Sequence, residues 1–233
     1  MKRILVKISG ELLGGENQNF NHANITRIVK LIGALQNNRE NQVYVVLGGG
    51  NIARGRELSL FNFPNGRADH VGMLSTVSNA LIFKLVCDTV EAKSHVMAPF
   101  AAPDLQIHPY ESDKAVWWAR KGHIMIFGGG LGRCGFTTDM TAVSRAYEVG
   151  ADIVVKLTEV GGLFTADPKV DSTAKLISKI SAREVIKNEY EVMDGEAFIF
   201  AKKNKIPIKI MKLEDLSFEN IYDDSIGSII TPD

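Results

Sequence analysis

The sequence predicts an α/β fold with a mostly parallel sheet covered by helices on both faces. Three observations lead there. Short β-branched runs recur along the chain, each long enough for one strand. Stretches with apolar residues at helical spacing lie between them. Glycine-rich turns follow several of the runs, as at strand ends in open α/β sheets. Strands that alternate with helices pair in parallel and bury both faces.

Taken in order, strands are expected near Arg3–Ile8, Gln42–Leu47, His95–Ala98, His123–Phe127, Asp152–Leu157, Ile208–Met211 and Ile226–Ile230. Between the first two, Ile25, Ile28, Val29, Ile32 and Leu35 repeat at helical spacing. A second helix fits Val71, Leu74, Val77, Leu81 and Leu85, and a third begins near Thr138 with Val143, Ala146 and Tyr147 on one face. Ser181-Ala182-Arg183-Glu184 has the capping-box pattern that opens a further helix. No low-complexity linker, repeat or heptad run marks a domain boundary.

Composition narrows the function. The 233 residues carry 27 Lys+Arg against 27 Asp+Glu, so the formal net charge is zero. A dominant nucleic-acid or anionic-membrane surface would leave a basic footprint, and neither partner is expected. With 45% hydrophobic and 23% charged residues the composition is that of a globular domain with a substantial core. Cys87 and Cys134 make no disulfide framework, and no His/Cys spacing suggests zinc. Lys7 interrupts the short apolar start, no signal peptide follows, and no run reaches the roughly 18 apolar residues of a membrane span. An intracellular, reducing compartment is expected.

The glycines point to a ligand. Gly10 follows the first strand, Gly48-Gly49-Gly50 the second, Gly128-Gly129-Gly130-Leu131-Gly132 the fourth, and Gly161-Gly162 comes soon after the fifth. One such turn is only a tight connection; four that end strands on one edge favour a phosphate-rich ligand held by backbone N–H groups. There is no GxxxxGK[ST], no complete dinucleotide fingerprint, no nucleophile elbow and no HExxH. Phosphoryl transfer needs none of these, because positioned cations and N–H donors can supply its catalysis.

Lys7 and Lys156 each end an apolar strand beside glycine or hydroxyl residues and together suggest a pair of phosphate clamps; either alone reads equally as a solvated edge charge. Arg54, just past the triple glycine, is a surface charge or a phosphate contact. Phe136-Thr137-Thr138-Asp139 is an N-cap that can also present hydroxyls to a phosphate. Phe164-Thr165-Ala166-Asp167-Pro168 is a turn that also offers a base-covering ring and a carboxylate for ribose. His95, His108 and His123 lack metal-ligand spacing. Trp117-Trp118 is expected to pack against the core or a subunit.

Taken together, these strings resemble the bacterial uridylate kinases of the amino-acid-kinase superfamily. The resemblance rests on Lys7-Ile8-Ser9-Gly10-Glu11, Gly48-Gly49-Gly50-Asn51 with Arg54-Gly55, and Asp69-His70-Val71-Gly72-Met73. Phe136-Thr137-Thr138-Asp139, Phe164-Thr165-Ala166-Asp167-Pro168 and Val192-Met193-Asp194 follow in the family's order, from Lys2 to about Ile230. It implies a three-layer αβα sandwich and a single amino-acid-kinase domain over residues 1–233, acceptor side first and ATP side from about residue 140. It also implies transfer of the γ-phosphoryl group of ATP to UMP, with Mg²⁺ accompanying ATP.

On this likeness Lys7, Ser9, Gly10, Gly50 and Arg54 face the ATP phosphates, and Thr158, Phe164 and Asp167 hold adenosine. Gly49 and Asp69 meet UMP, as do Leu131, Gly132, Arg133, Cys134, Gly135, Phe136, Thr137 and Thr138. Lys7 and Lys156 are the catalytic cations and Asp139 orients them; no residue is assigned as a metal ligand. A cytoplasmic homohexamer with GTP and UTP as effectors is likewise implied. Leu131, Arg133 and Gly161 depart from the family pattern, which sets beside the UMP kinase a catalytically weak or inactive paralogue serving as a nucleotide-binding, regulatory or storage protein. A kinase for a carboxylate or carbamate acceptor is a further alternative, disfavoured by Asp69-His70 and Thr137-Thr138-Asp139.

Overall fold

The structure, a computed structural model, describes residues 1–15, 18–37, 41–53, 58, 61, 63, 66–190 and 192–233. In chain order the strands are β1 (Lys2–Ile8), β2 (Asn41–Leu47), β3 (Ser94–Ala98), β4 (Ile107–Pro109), β5 (Ile124–Phe127) and β6 (Ile153–Leu157). They continue as β7 (Leu163–Phe164), β8 (Leu176–Ile177), β9 (Lys179–Ser181), β10 (Ile208–Met211) and β11 (Ser228–Thr231). The helices are α1 (His22–Asn37), α2 (Arg67–Thr89), α3 (Ser112–Arg120), α4 (Thr138–Val149), α5 (Ala182–Lys187), α6 (Gly195–Lys203) and α7 (Phe218–Ile221). The expected strands and helices are all present, their ends shifted by a residue or a few.

Nine strands form the main sheet in the order β4-β3-β5-β2-β1-β6-β10-β11-β9, with β7 and β8 as a separate pair. All main-sheet pairings are parallel except β10 with β11. β1 is therefore central, and its neighbours are buried strands that need no polar face.

Strand alternation sorts β1 between two cores. Ile4, Val6 and Ile8 join the layer beneath α1 and α2, where Ile25, Ile28, Val29, Ile32 and Leu35 of α1 form one buried stripe. Leu5 joins the opposite layer with Ala142, Val143 and Ala146 of α4 and Phe198 of α6. Burying each large aliphatic side chain contributes about 1.5–3 kcal/mol, so these stripes hold the helices to the sheet. Lys7 shares the parity of Leu5 and so lies on the α4 side.

Helix ends follow local chemistry. Ser181 accepts from Glu184 N–H while the Glu184 carboxylate returns to the Ser181 N–H, the capping box expected at α5. α2 behaves differently from its periodicity. Val77 is buried, but Val71, Leu74 and Leu85 are more than 40% exposed, because its inward stripe is Ala80, Phe83, Val86 and Cys87. By length and composition α2 could cross a membrane; Ser75, Thr76, Asn79 and Lys84 interrupt its apolar run, and its inner face belongs to the core.

Candidate active site

The central observation comes from register. β1 and β6 pair so that Lys7 lies directly opposite Lys156. Adjacent strands are about 4.8 Å apart, so two ammonium groups emerge side by side on the α4 face. Like charges buried together need a counter-ion, and α4 supplies it. Thr137 caps the helix by accepting from Met140 N–H at 3.1 Å, which places Asp139 in its first turn. The Asp139 carboxylate meets Lys7 Nζ at 3.1 Å through Oδ1 and Lys156 Nζ at 2.7 Å through Oδ2. All three side chains are nearly buried.

The electrostatics follow. Burial raises the Asp139 pKa, but the Lys7 and Lys156 ammoniums outweigh it and hold the carboxyl below its ordinary range. Burial and the neighbouring Lys7 charge hold Lys156 below the usual lysine value, opposed by Asp139. Lys156 is steadied further by donating to the Val192 carbonyl at 2.7 Å. Asp194 completes the frame: it accepts from Thr137 Oγ1 at 2.6 Å and from Glu196 N–H at 3.0 Å at the start of α6. Val192 and Asp194 appear in the sequence only as part of a family string; the acidic N-cap of α6 was the available local signal.

The turns after β1 and β2 touch. A Cβ on Gly10 would lie 2.6 Å from Asn51 Oδ1, 2.8 Å from Gly50 N and 3.0 Å from Gly48 O. Gly49 is equally confined, with Ser75 Cβ 2.9 Å from where its own Cβ would stand. Asn51 and Asn79 clasp these turns through reciprocal amide bonds of 3.1 and 2.7 Å, and Asn79 also donates to Gly48 O at 2.6 Å. Ser9 donates to Glu11 Oε2 at 2.9 Å. Arg54 lies outside the described residues.

The loop from β5 to α4 carries most of the residues expected at the acceptor. Gly129, Gly130, Gly132 and Gly135 all have positive φ, a region that glycine enters without strain. Asp69 at the start of α2 accepts from Gly135 N–H at 2.7 Å and ties the loop down. Arg133, Phe136 and Thr137 are exposed, while Leu131, Cys134 and Thr138 are half-buried.

The residues expected at adenosine divide. Phe164 and Asp167 line a cavity of about 480 Å³ with Tyr190 and Val192. Thr158 instead accepts from Gly161 N–H at 2.9 Å and lines a different cavity, of about 890 Å³, with Glu11 and Asn51. Gly161 has φ +77°, and a side chain there would run into Lys212, so glycine suits this backbone. Among the described residues, no three His, Cys, Asp or Glu side chains converge to hold a metal ion. The histidines that sequence spacing kept apart do meet elsewhere: His95 stacks on His123 at 4.7 Å and contacts His108 at 5.5 Å and Trp118 at 4.1 Å.

Comparison with known proteins identifies the family. The model of the "Amino acid kinase family" matches residues 2–212. A "Uridylate kinase" of Pseudothermotoga lettingae is 38% identical over 235 aligned residues, covering 100% of this chain and 99% of its own. That of Buchnera aphidicola is 39% identical, covering 91% of this chain and 87% of its own. The crystal structure of a UMP kinase from Bacillus anthracis superposes with a TM-score of 0.93 at 29% identity, covering 100% of this chain and 96% of that one.

Proposed function

The chain belongs to the amino acid kinase family, and on that premise we propose that it is a UMP kinase of pyrimidine nucleotide biosynthesis. It transfers the γ-phosphoryl group of ATP to UMP, giving ADP and UDP. The observation that carries this reading is the Lys7–Asp139–Lys156 cluster, with Lys7 at the end of β1 just before the first glycine turn and Asp139 just after the β5–α4 loop. In phosphoryl transfer, charge spreads over the oxygens of a loosely bonded transferring group. Lys7 and Lys156 neutralise that charge, and Asp139 holds both ammoniums in place before substrate arrives. The acceptor phosphate of UMP is already an anionic nucleophile, so no general base is required.

Ser9, Gly10, Gly50 and Arg54 complete the ATP phosphate side. Phe164 and Asp167 hold the adenosine, Thr158 contributing from the neighbouring cavity. Gly49, Asp69 and the loop from Leu131 to Thr138 receive UMP. Asp139 is committed to the lysines; Mg²⁺ bound with ATP would supply further charge neutralisation at the phosphates beside Lys7 and Lys156. Residues 1–233 act as one kinase domain. The exposed Val71, Leu74 and Leu85 of α2 suit self-association; the proposal extends to a cytoplasmic homohexamer that responds to GTP and UTP.

The intact cluster leaves no observation in favour of a catalytically silent paralogue. ADP release from Mg-ATP across UMP, dUMP, CMP and AMP tests the reading: UMP is expected to give the highest kcat/KM. A panel without preference for UMP overturns it.

A further inference from the structure

Arg145 is a charged residue that the mechanism has not used. It lies on α4 with only 7% of its side chain exposed. Burying a guanidinium is costly unless its donors are engaged, and here each engagement has a direction. Its carbon sits 3.4 Å above the centre of the Tyr110 ring, and Nη1 pairs with Glu148 at 2.8 Å. These contacts hold the planar group while Nη2 donates to the Gly130 carbonyl at 3.2 Å.

That carbonyl belongs to the loop expected to receive UMP. Gly129 and Gly130 both have positive φ, and glycine occupies both signs of φ with similar ease. The Gly130–Leu131 peptide is thus intrinsically able to turn over. Gly129 N–H is pinned by Thr76 Oγ1 at 2.8 Å, and Arg145 provides the second fastening, two peptides further on. In a planar trans peptide the N–H points opposite to the C=O. Drawing the Gly130 oxygen toward α4 therefore aims the Leu131 N–H away from it, and this N–H has no hydrogen-bond partner among the described residues.

We propose that Arg145 is a positioning residue for the acceptor nucleotide: it holds the Gly130–Leu131 peptide so that the Leu131 N–H is presented to UMP. The inference rests on the UMP kinase reading. It also accounts for a leucine at 131 being compatible with acceptor binding, since the donor is backbone. Asp139, seated a turn and a half earlier on the same helix, is left undisturbed by changes at Arg145.

The test is steady-state kinetics of the wild-type chain, Arg145→Lys and Glu148→Gln, with KM determined separately for UMP and ATP. Lysine keeps the charge but cannot stack and fork in the same way. Losing a charge-assisted bond to the carbonyl should raise the UMP KM about tenfold in Arg145→Lys. Loosening the guanidinium in Glu148→Gln should raise it about threefold. The ATP KM and kcat should stay within about twofold of wild type. A UMP KM unchanged in both variants overturns the inference, as does a parallel rise in both KM values, which marks a merely structural role. If Arg145→Lys does not fold, the half-exposed Glu148→Gln decides by the same criteria. A wild-type chain with no UMP-dependent turnover instead overturns the functional reading, and the inference falls with it.

Discussion

Replacing Asp139 by asparagine probes the whole of the proposed catalytic frame. The carboxylate lies 3.1 and 2.7 Å from two nearly buried ammoniums. At an effective dielectric of about 20, each contact is worth about 5–6 kcal/mol of gross attraction. Desolvation of the three groups offsets much of it, and breaking such a buried pairing costs a net ~3–5 kcal/mol. The amide of Asp139→Asn would fill the same space but leave Lys7 facing Lys156 without a counter-ion. One lysine must then lose its proton more readily, and Lys156, already held low by burial and by Lys7, is the one to do so. Urea unfolding should show the loss of stability, and ADP release should fall about 10²–10³-fold. The alkaline limb of the activity profile should move to lower pH. Removing the stranded charge as well, in Asp139→Asn/Lys156→Met, should recover at least ~1 kcal/mol relative to the sum of the single changes. If Asp139→Asn kept normal turnover, or unfolded within about 0.5 kcal/mol of wild type, the counter-ion argument would be refuted.

Other consequences can be measured directly. Lys7→Ala should lower kcat by about 10²–10³-fold; near-normal turnover would remove Lys7 from the transition-state contacts. Gly10→Ala forces a Cβ against Asn51 Oδ1 and the Gly50 backbone, an overpacking of about 1–3 kcal/mol that should appear mainly as a raised ATP KM; an unchanged ATP KM would show that these turns do not form the phosphate site. Burial first, then the His123 and His108 rings and Lys84, holds His95 at a pKa of about 4 against an ordinary 6.5. The unfolded chain therefore takes up this proton between about pH 6.5 and 4 while the folded chain does not, so Tm should fall across that window. His95→Gln should flatten the fall, and an equally steep fall in that variant would exclude His95 as its source.

Much of the fold was legible because its core strands are β-branched runs that read the same from either face. β1, β2 and β6 needed only their own residues to be recognised. β4, β7, β8 and β9 span two or three residues each, too few for a period, and exist because neighbours pair with them. Lys7, Lys156 and Asp139 were legible for a related reason: each sits at an element boundary with its own local signal. Their mutual distances depend on the β1–β6 register, which no local pattern specifies. Asp194 and Arg145 act through partners far away in sequence, at Thr137 and Gly130. The histidine cluster likewise assembles from β3, β4 and the approach to β5. The α2 periodicity was real, but a helix with apolar residues on two sides does not reveal which side the sheet covers.

The central place of β1 has a consequence for the birth of the chain. β1 has β2 on one flank, yet its other flank waits for β6, which begins only at Ile153. Until then β1 presents an open edge of N–H and C=O groups, the kind of surface that pairs with strangers. The same pairing seats Lys156 opposite Lys7, so a nascent chain assembles its candidate active site at the step that closes this edge of β1. Enzymatic activity can thus serve as a reporter of the β1–β6 pairing. A fragment ending before Ile153 should be both inactive and prone to aggregate, two defects with one physical cause.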